Sequence, residues 1–266
     1  MDLTRPKRNN LRHSPPGGAR MRTKAKDRLR HTVRLARRHL LTSWFRVVKP
    51  QIVKINGIKL KVDPRWPATM RDAFYKGSYE HSEYHLVSTV LTPSDRVLEI
   101  GAAVGFIGMR CCQIVGSSNV VSIEANPDIC AIARENYALN GLSPTLINAA
   151  ITSTSQSEVE FFISDHFWAS SLSDKDGTTH AIKVRGVSFS EAVALYRPTA
   201  LVMDVEGAEF EILKDSDLDS INKICIEFHP QFIDDTKITQ IFSKFISAGF
   251  RIGLSESRGK VVYFHK

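Results

Sequence analysis

The fold of this chain is decided by one stretch, which reads Val97-Leu98-Glu99-Ile100-Gly101-Ala102-Ala103-Val104-Gly105-Phe106. A short, mostly apolar segment leads into a turn of small residues, and an apolar helical pattern follows the turn. Glycines let the backbone of such a turn approach a ligand closely, and the free N–H groups at the start of the next helix point towards that ligand. The stretch therefore predicts a strand-turn-helix unit that binds a nucleotide-like molecule.

The spacing of the glycines decides which ligand suits this turn. A dinucleotide fingerprint needs glycine at its first, third and sixth positions, and here those positions hold Gly101, Ala103 and Phe106. The turn suits S-adenosylmethionine better, because that molecule has no pyrophosphate. The residues of this turn that we expect to bind the cofactor are Glu99, Gly101, Ala102 and Gly105. The alternative is a tight turn between strand and helix that binds nothing.

A second strand pattern ends in an acid, Glu124, which lies 23 positions after Gly101. At this spacing a carboxylate can accept hydrogen bonds from both hydroxyls of an adenosine ribose. The alternative role for this acid is to cap the following helix. The third strand pattern ends in a polar and a small residue, a position suited to adenine. The cofactor residues expected from these two strand ends are Glu124, Ala125, Asn126, Asn148 and Ala149.

The strand patterns alternate with helical patterns along much of the chain. The predicted strands are Arg96–Ile100, Val120–Glu124, Thr145–Ala149, Ala200–Asp204 and Lys223–Phe228. Such alternation predicts an α/β fold with a mostly parallel sheet and helices on both faces. In these sheets ligands bind beyond the carboxyl ends of the strands. We therefore expect the chemistry at those ends.

Acidic residues accumulate at the ends of the fourth and fifth strands. The fourth runs into Asp204-Val205-Glu206-Gly207-Ala208-Glu209, and the fifth ends in Glu227-Phe228-His229. Methyl transfer to a hydroxyl needs an acceptor that is aligned with the methyl group. It also needs a group that removes the hydroxyl proton or lowers its pKa. The residues expected to carry this chemistry are Asp204, Glu206, Glu209, Glu227 and His229.

Three interpretations of this acidic cluster stay open on the sequence. Glu206 and Glu209 could be structural, because acids at the start of a helix meet its dipole favourably. A divalent cation, Mg²⁺ or Mn²⁺, could be held by Asp204, Glu206 and either Glu227 or His229, and would polarise the hydroxyl. Metal-free base catalysis is the third interpretation, and His229 has the unperturbed pKa best suited to it.

Together these motifs resemble the FkbM family of S-adenosylmethionine-dependent methyltransferases, whose signature is Asp-x-Glu-Gly-x-Glu. The resemblance runs from about Tyr79 to Phe228. It implies a Rossmann-like class I methyltransferase fold, with about seven mostly parallel strands, an antiparallel edge strand and helices on both faces. It also implies O-methylation of small molecules, saccharides or glycolipids. The family commonly has Asp where Glu99 stands and Asn where Ala103 stands.

Missing motifs exclude other methyltransferase classes. The Asn/Asp-Pro-Pro-aromatic run of exocyclic amino methyltransferases does not follow the fourth strand, and no Pro-Cys nucleophile of a cytosine C5 enzyme is present. The four cysteines lack metal-ligand spacing, and three of them lie in apolar segments. We expect them to be reduced core residues.

The composition divides the chain into three parts. Residues 1–50 form a basic arm, in which an amphipathic helix is predicted over 26–48 after a start whose composition predicts disorder. Residues 51–95 contain a hairpin at Asn56-Gly57 and a helix. Residues 96–266 form the cofactor-binding domain, with an insertion at 151–199. Within that insertion we expect Trp168 and Ser171 to contact the acceptor; a plain surface loop is the alternative.

The arm also holds the excess positive charge. Residues 1–50 contain 15 Lys/Arg and 2 Asp/Glu, a net of +13, whereas the remainder contains 21 and 26, a net of −5. Such a helix could bind an anionic membrane surface or pack on the catalytic domain. Recruitment to nucleic acid is a less favoured alternative, because few aromatic residues accompany the basic ones. We expect a cytoplasmic enzyme that is either free or associated with a membrane.

Overall fold

A computed structural model describes residues 43–154, 156–163 and 180–266 of the chain. It divides into two units, Met1–Val48 and Lys49–Lys266. In the first unit the description begins at residue 43, and residues 43–48 are helical. The arm before residue 43, like Trp168 and Ser171, lies outside the described residues. Their predicted roles stay predictions.

A hairpin begins the second unit. Strands β1 (Ile52–Ile55) and β2 (Ile58–Lys61) pair antiparallel. The turn between them has positive φ at both Asn56 and Gly57, at 49° and 90°. These residue types are the ones that adopt such angles at least cost, which explains why the hairpin could be predicted. Two helices follow, α1 (Ala68–Lys76) and α2 (His81–Val90).

The rest of the second unit is built on a seven-stranded sheet. Its strands are β3 (Val97–Ile100), β4 (Val120–Glu124), β5 (Thr145–Asn148), β10 (Ala200–Met203), β11 (Lys223–Glu227), β12 (Arg251–Ile252) and β13 (Val261–His265). Their order in the sheet is β12-β13-β11-β10-β3-β4-β5. The intervening helices are α3 (Phe106–Val115), α4 (Pro127–Leu139), α5 (Phe189–Tyr196), α6 (Glu209–Leu213) and α7 (Asp235–Ser247).

This arrangement confirms the predicted class I methyltransferase fold. Strands β3, β4, β5, β10 and β11 pair in parallel, and β13 pairs antiparallel with β11. One detail differs from the expected antiparallel edge strand. The antiparallel strand β13 is not at the edge of the sheet, because the two-residue β12 pairs with its outer side. The central strands β3, β4 and β10 are buried along their whole length. Burial on both faces is what their near-continuous apolar sequence requires.

The insertion between β5 and β10 adds two small strand pairs. Strands β7 (Val159–Ile163) and β8 (His180–Val184) form an antiparallel pair. Strands β6 (Ala150–Thr152) and β9 (Gly186–Ser188) pair in parallel. Ser188 and Glu191 form a capping box at the start of α5.

Two further sequence expectations concern the surface and the cysteines. Within the described ranges, no helix is both long and apolar enough to cross a membrane. All four cysteines are unpaired thiols in the interior, as expected. They are Cys111, Cys112, Cys130 and Cys225.

Candidate functional site

One cavity of about 190 Å³ opens at the carboxyl ends of β3, β4 and β10. This is the place where parallel sheets bind ligands. One part of its wall is apolar and includes Ile123, Ile129 and Phe161, and the other part is acidic. Its remaining lining residues are Tyr79, Glu80, Ile100, Gly101, Ala103, Glu124, Ala125, Ala149, Ala150, Ile151, Asp204, Val205, Glu206, Ala208 and Ile212.

Gly101 joins the two motifs that the sequence separates by a hundred residues. Its φ is +81°, and a Cβ atom added there would lie 1.6 Å from the backbone oxygen of Asp204. The N–H groups of Gly101 and Ala102 both donate to the carbonyl oxygen of Ile123, at 3.0 and 3.1 Å. Only glycine therefore permits the turn after β3 to pack against the acidic turn after β10.

Glu124 lines the middle of the cavity and is held by backbone donors. Its Oε2 accepts the N–H of Ala103 at 2.8 Å, and its Oε1 accepts the N–H of Asn126 at 2.8 Å. Burial raises the pKa of this carboxyl to about 7, against the lowering effect of the backbone N–H groups of Asn126, Ala103 and Ala125. The backbone therefore fixes the carboxylate in the orientation that a ribose would meet.

The predicted cofactor residues divide into two groups. Four of them line the cavity, namely Gly101, Glu124, Ala125 and Ala149. The other five, Glu99, Ala102, Gly105, Asn126 and Asn148, are not part of its wall. Asn126 caps α4 by accepting the N–H groups of Asp128 and Ile129. Asn148 donates to the carbonyl oxygens of Glu124 and Ala125, each at 2.9 Å. These residues shape the cavity wall from behind.

Glu99 departs most clearly from its predicted role. Its carboxylate is 2% exposed and accepts hydrogen bonds from the Ser122 hydroxyl and, at 3.5 Å, from the Tyr137 hydroxyl. A Cβ atom at Gly108 would lie 2.3 Å from the Glu99 Oε2, so glycine is needed in the first turn of α3. Burial raises the pKa of Glu99 to about 7, although hydrogen bonds from Ser122, Gly108 and Tyr137 oppose it. Glu99 therefore anchors α3 beneath the cofactor turn.

Sequence reasoning missed several wall residues. Tyr79 and Glu80 precede the first strand of the sheet, where the sequence shows only the start of a helix. Phe161 comes from β7 in the insertion and closes the apolar part of the cavity. No spacing relative to the glycine turn could have revealed these side chains, because they reach the cavity from segments outside the strand ends.

The acidic cluster forms around the imidazole of His229. Its Nδ1 lies 2.5 Å from the Glu209 Oε1, and its Nε2 lies 3.5 Å from the Asp204 Oδ1 and 3.4 Å from the Glu206 Oε2. His229 and Glu209 are buried, and the N–H of Gly207 donates to the same Glu209 oxygen at 3.1 Å. The structure therefore brings together Asp204, Glu206, Glu209 and His229 as predicted, with only the first two lining the cavity.

Electrostatics gives these groups unusual proton affinities. Burial alone would lower the pKa of His229, but the hydrogen bond that its Nδ1–H donates to Glu209 and the charges of Asp204 and Glu206 raise it to about 9. This environment favours the protonated ring at neutral pH, which argues against the interpretation of His229 as the base. Burial, followed by Glu206 and Glu227, holds the pKa of Asp204 well above its usual range.

Glu227 completes the cluster on the side of β11. Burial raises its pKa to about 7, followed in importance by a hydrogen bond and charge repulsion with Glu83. One ligand atom each from Asp204, Glu227 and His229 lies within 4.8 Å of the other two, close enough for these residues to hold a metal ion. Two oxygens in the cluster, the Asp204 Oδ1 and the Glu209 Oε2, are buried without a hydrogen-bond partner among the described residues. The cluster therefore has unused capacity for a donor or a cation.

Comparison with protein families identifies this cavity. The model of the methyltransferase FkbM domain matches residues 99–252, more than half of the chain. The chain belongs to the FkbM methyltransferase family. The resemblance seen in the sequence is thus confirmed.

The chain is also similar to several individual proteins. A Methanocaldococcus jannaschii protein, provisionally described as a protein N5-glutamine methyltransferase, is 33% identical over 92 residues, which are 35% of this chain and 42% of that protein. A tRNA methyltransferase structure from the same organism matches with a TM-score of 0.46 and 16% identity over 80% of this chain and 56% of that one. An FkbM methyltransferase structure from Methylobacillus flagellatus matches with a TM-score of 0.41 and 13% identity, over 75% of this chain and 55% of that one. The chain thus spans only part of the length of each.

Proposed function

We propose that this protein is an S-adenosylmethionine-dependent methyltransferase that methylates a hydroxyl oxygen of a small-molecule, saccharide or lipid-linked acceptor. The observation that carries the proposal is the position of Asp204, which lines the cofactor cavity and belongs to the cluster around His229. When bound, S-adenosylmethionine supplies an electrophilic methyl group. A hydroxyl must lose its proton as it is methylated, and a carboxylate with raised proton affinity at the cavity wall is suited to accept that proton.

The cavity fits the cofactor in shape and chemistry. The apolar side chains of Ile123, Ile129 and Phe161 suit adenine, and Glu124 suits the ribose hydroxyls. Gly101 has no side chain and lines the cavity with its backbone, which a ligand can therefore approach closely. The unpaired Oδ1 of Asp204 is available to a donor.

We assign different roles to the members of the cluster. Asp204 accepts the acceptor proton, and Glu206 lies beside it on the cavity wall. His229 is a positioning residue, held at Nδ1 by Glu209 and facing Asp204 through Nε2. Trp168 and Ser171 stay proposed acceptor-side residues, because their insertion joins the strand that supplies Phe161.

The acceptor can be identified directly. The full-length protein would be incubated with methyl-labelled S-adenosylmethionine and fractionated cell extract, and labelled products would be fragmented by mass spectrometry. A methyl ether on a small molecule, saccharide or lipid supports the proposal. Label on a glutamine side-chain nitrogen, the activity named for the Methanocaldococcus jannaschii relative, or on RNA would overturn it.

The same assay tests whether a metal takes part. We propose a metal-free reaction, because the Nε2 that a cation would need belongs to the His229 ring, whose pKa is raised to about 9 by the hydrogen bond to Glu209 and by the charges of Asp204 and Glu206. Activity should survive dialysis against EDTA. Loss of activity that Mg²⁺ or Mn²⁺ restores would instead assign a cation to Asp204, Glu227 and His229.

We further propose that the basic arm holds the enzyme at an anionic membrane surface, near lipid-linked acceptors. The support is its sequence, with a net charge of +13 over residues 1–50 and an apolar stripe that includes Leu40 and Trp44. Each basic residue near an anionic leaflet contributes on the order of 1 kcal/mol to membrane binding.

The full chain should sediment with phosphatidylserine vesicles, and a chain that lacks residues 1–48 should not. The contrary result is that the full chain does not bind vesicles and that the truncated chain melts at a much lower temperature. This result would indicate that the arm packs on the catalytic domain.

A further inference from the structure

Glu80 lies at the acidic part of the cavity, although it comes from a segment before the sheet. It directly precedes α2, and its carbonyl oxygen accepts the N–H of Tyr84 at 3.0 Å. Its side chain does not cap this helix, as the side chains of Asn126 and Ser188 do for theirs. The side chain of Glu80 instead lines the cavity, next to Gly101 and Asp204 in the wall.

The backbone of Glu80 is held in a conformation that glutamate rarely adopts. Its φ and ψ are 43° and 42°, in the left-handed region. Among the described residues, six that are not glycine have positive φ, and three of these line this cavity: Glu80, Ala103 and Glu206. Strained backbone of this kind collects at functional sites, where the surrounding structure holds it. Here the neighbouring Tyr79 is fixed by stacking on Phe74, with ring centroids 4.3 Å apart.

The charges around Glu80 distinguish it from the other acids of the wall. Its side-chain hydrogen bond is with the neutral hydroxyl of Tyr79. The charged groups that act on it most strongly are Glu83, Asp204 and Glu99, all acids. Asp204 and Glu206, in contrast, both face the imidazole of His229. Glu80 therefore differs from Asp204 and Glu206. Among the described residues it faces other acids and the Tyr79 hydroxyl, and it forms no ion pair.

The cofactor presents cationic groups that match this position. If adenine occupies the apolar part and the ribose lies at Glu124, the methionyl end of the cofactor would be directed towards the remaining wall, which includes Gly101 and the acids. That end carries an α-ammonium group. We propose that Glu80 binds the α-ammonium group of the methionyl portion of S-adenosylmethionine, with the Tyr79 hydroxyl orienting the carboxylate. The inference rests on the proposed orientation of the cofactor in this cavity, and it is independent of the acceptor.

Two ligands that differ in the amino-acid portion test this assignment. S-adenosylhomocysteine carries the α-ammonium group, whereas 5′-methylthioadenosine keeps the adenosine and the thioether but lacks it. Calorimetry would give the Kd of each ligand for the full-length wild type and for Glu80→Gln and Glu124→Gln. Glu80→Gln should weaken S-adenosylhomocysteine binding by about tenfold or more, because a charge-assisted hydrogen bond is lost, and should change 5′-methylthioadenosine binding less than about twofold. Glu124→Gln should weaken both ligands equally.

The outcomes separate failure of this inference from failure of the cofactor assignment. Equal weakening of both ligands by Glu80→Gln, or no weakening of either, would show that the carboxylate does not bind the ammonium group. If Glu124→Gln changes neither Kd, the proposed orientation of the cofactor itself is wrong. Should Glu80→Gln fail to fold, Tyr79→Phe keeps the ring that stacks on Phe74 and removes only the hydroxyl. It should weaken S-adenosylhomocysteine alone, by a smaller factor, and an equal effect on both ligands would again contradict the inference.

Discussion

Two carboxylates at strand ends, Glu124 and Asp204, line the same cavity in opposite environments. Glu124 follows β4 and is held by the backbone N–H groups of Ala103 and Asn126. Asp204 follows β10, faces Glu206 and His229, and keeps a buried oxygen without a hydrogen-bond partner among the described residues. Burial raises the pKa of both carboxyls, but backbone donors oppose the shift at Glu124, whereas neighbouring acids increase it at Asp204.

This difference indicates separate roles for the two carboxylates, cofactor binding for Glu124 and proton transfer for Asp204. Fixed backbone donors hold a carboxylate in one orientation, which suits recognition of a constant part of a ligand. A carboxylate that is surrounded by other acids keeps a high affinity for protons, which suits a group that must take one up. Substitutions at the two positions should therefore act on different measured constants.

Asp204→Asn should have the largest effect of the changes that distinguish the two environments. The substitution preserves shape and removes the proton acceptor, so kcat should fall by roughly 10² to 10⁴, the usual worth of general-base assistance. The Kd of S-adenosylhomocysteine should change by less than about threefold, since Glu124 and the apolar wall are intact. Steady-state kinetics with the identified acceptor, together with calorimetry, measures both.

A contrary result at Asp204 is easy to recognise. If cofactor affinity collapses while kcat at saturating cofactor is retained, Asp204 belongs to the binding half of the cavity and the proposed division is wrong. Thermal melting of the variant serves as the control for folding.

Gly101→Ala tests the junction between the two turns. The added Cβ would lie 1.6 Å from the Asp204 oxygen, so the turns must separate, and we expect a loss of more than about 3 kcal/mol in the free energy of unfolding. Gly116→Ala is a matched control, because Gly116 has a similar φ of +84° but no atom within 4 Å of the added Cβ. With a ψ of 145°, Gly116 has a conformation that residues other than glycine rarely adopt, so the alanine variant should cost only the conformational strain, about 1–3 kcal/mol.

Denaturant unfolding of the two alanine variants separates contact from conformation. Equal losses would mean that the positive φ, and not the approach of Asp204, explains the glycine at position 101. The contact between Gly101 and Asp204 would then not connect the cofactor-binding turn to the acidic turn.

The sequence predicted which strand-end residues meet at the cavity better than it predicted the contacts that these residues make. Glu124 and Gly101 could be placed because strand ends and glycine turns have fixed spacing along the chain. The contacts of Glu99 could not be predicted, since they depend on how closely Gly108 lets α3 approach Tyr137. The raised pKa of His229 also depends on distances to residues from another turn, which no linear pattern contains.

Glu124→Ala should affect binding without affecting chemistry. Loss of two charge-assisted hydrogen bonds to the ribose should weaken S-adenosylmethionine binding by roughly tenfold or more. The kcat at saturating cofactor should stay within a few-fold of wild type, the opposite of the result at Asp204. Calorimetry that shows unchanged affinity with an intact fold would remove Glu124 from the ribose site.

Ala103→Asn should have the smallest effect, and it is expected to stabilise the protein. Ala103 has a φ of 46° and donates its N–H to Glu124 at 2.8 Å, so its strained backbone supports the binding carboxylate. Asparagine adopts the left-handed region more readily than alanine, and the side chain would enter the cavity and not the core. We expect a gain of about 0.5 kcal/mol, which raises Tm by about 1–2 °C for a domain of this size. Ala103→Val is the control, because a β-branched residue disfavours positive φ and should lower Tm. A similar loss in both variants would mean that crowding beside Glu124, and not backbone strain, determines which residue fits here.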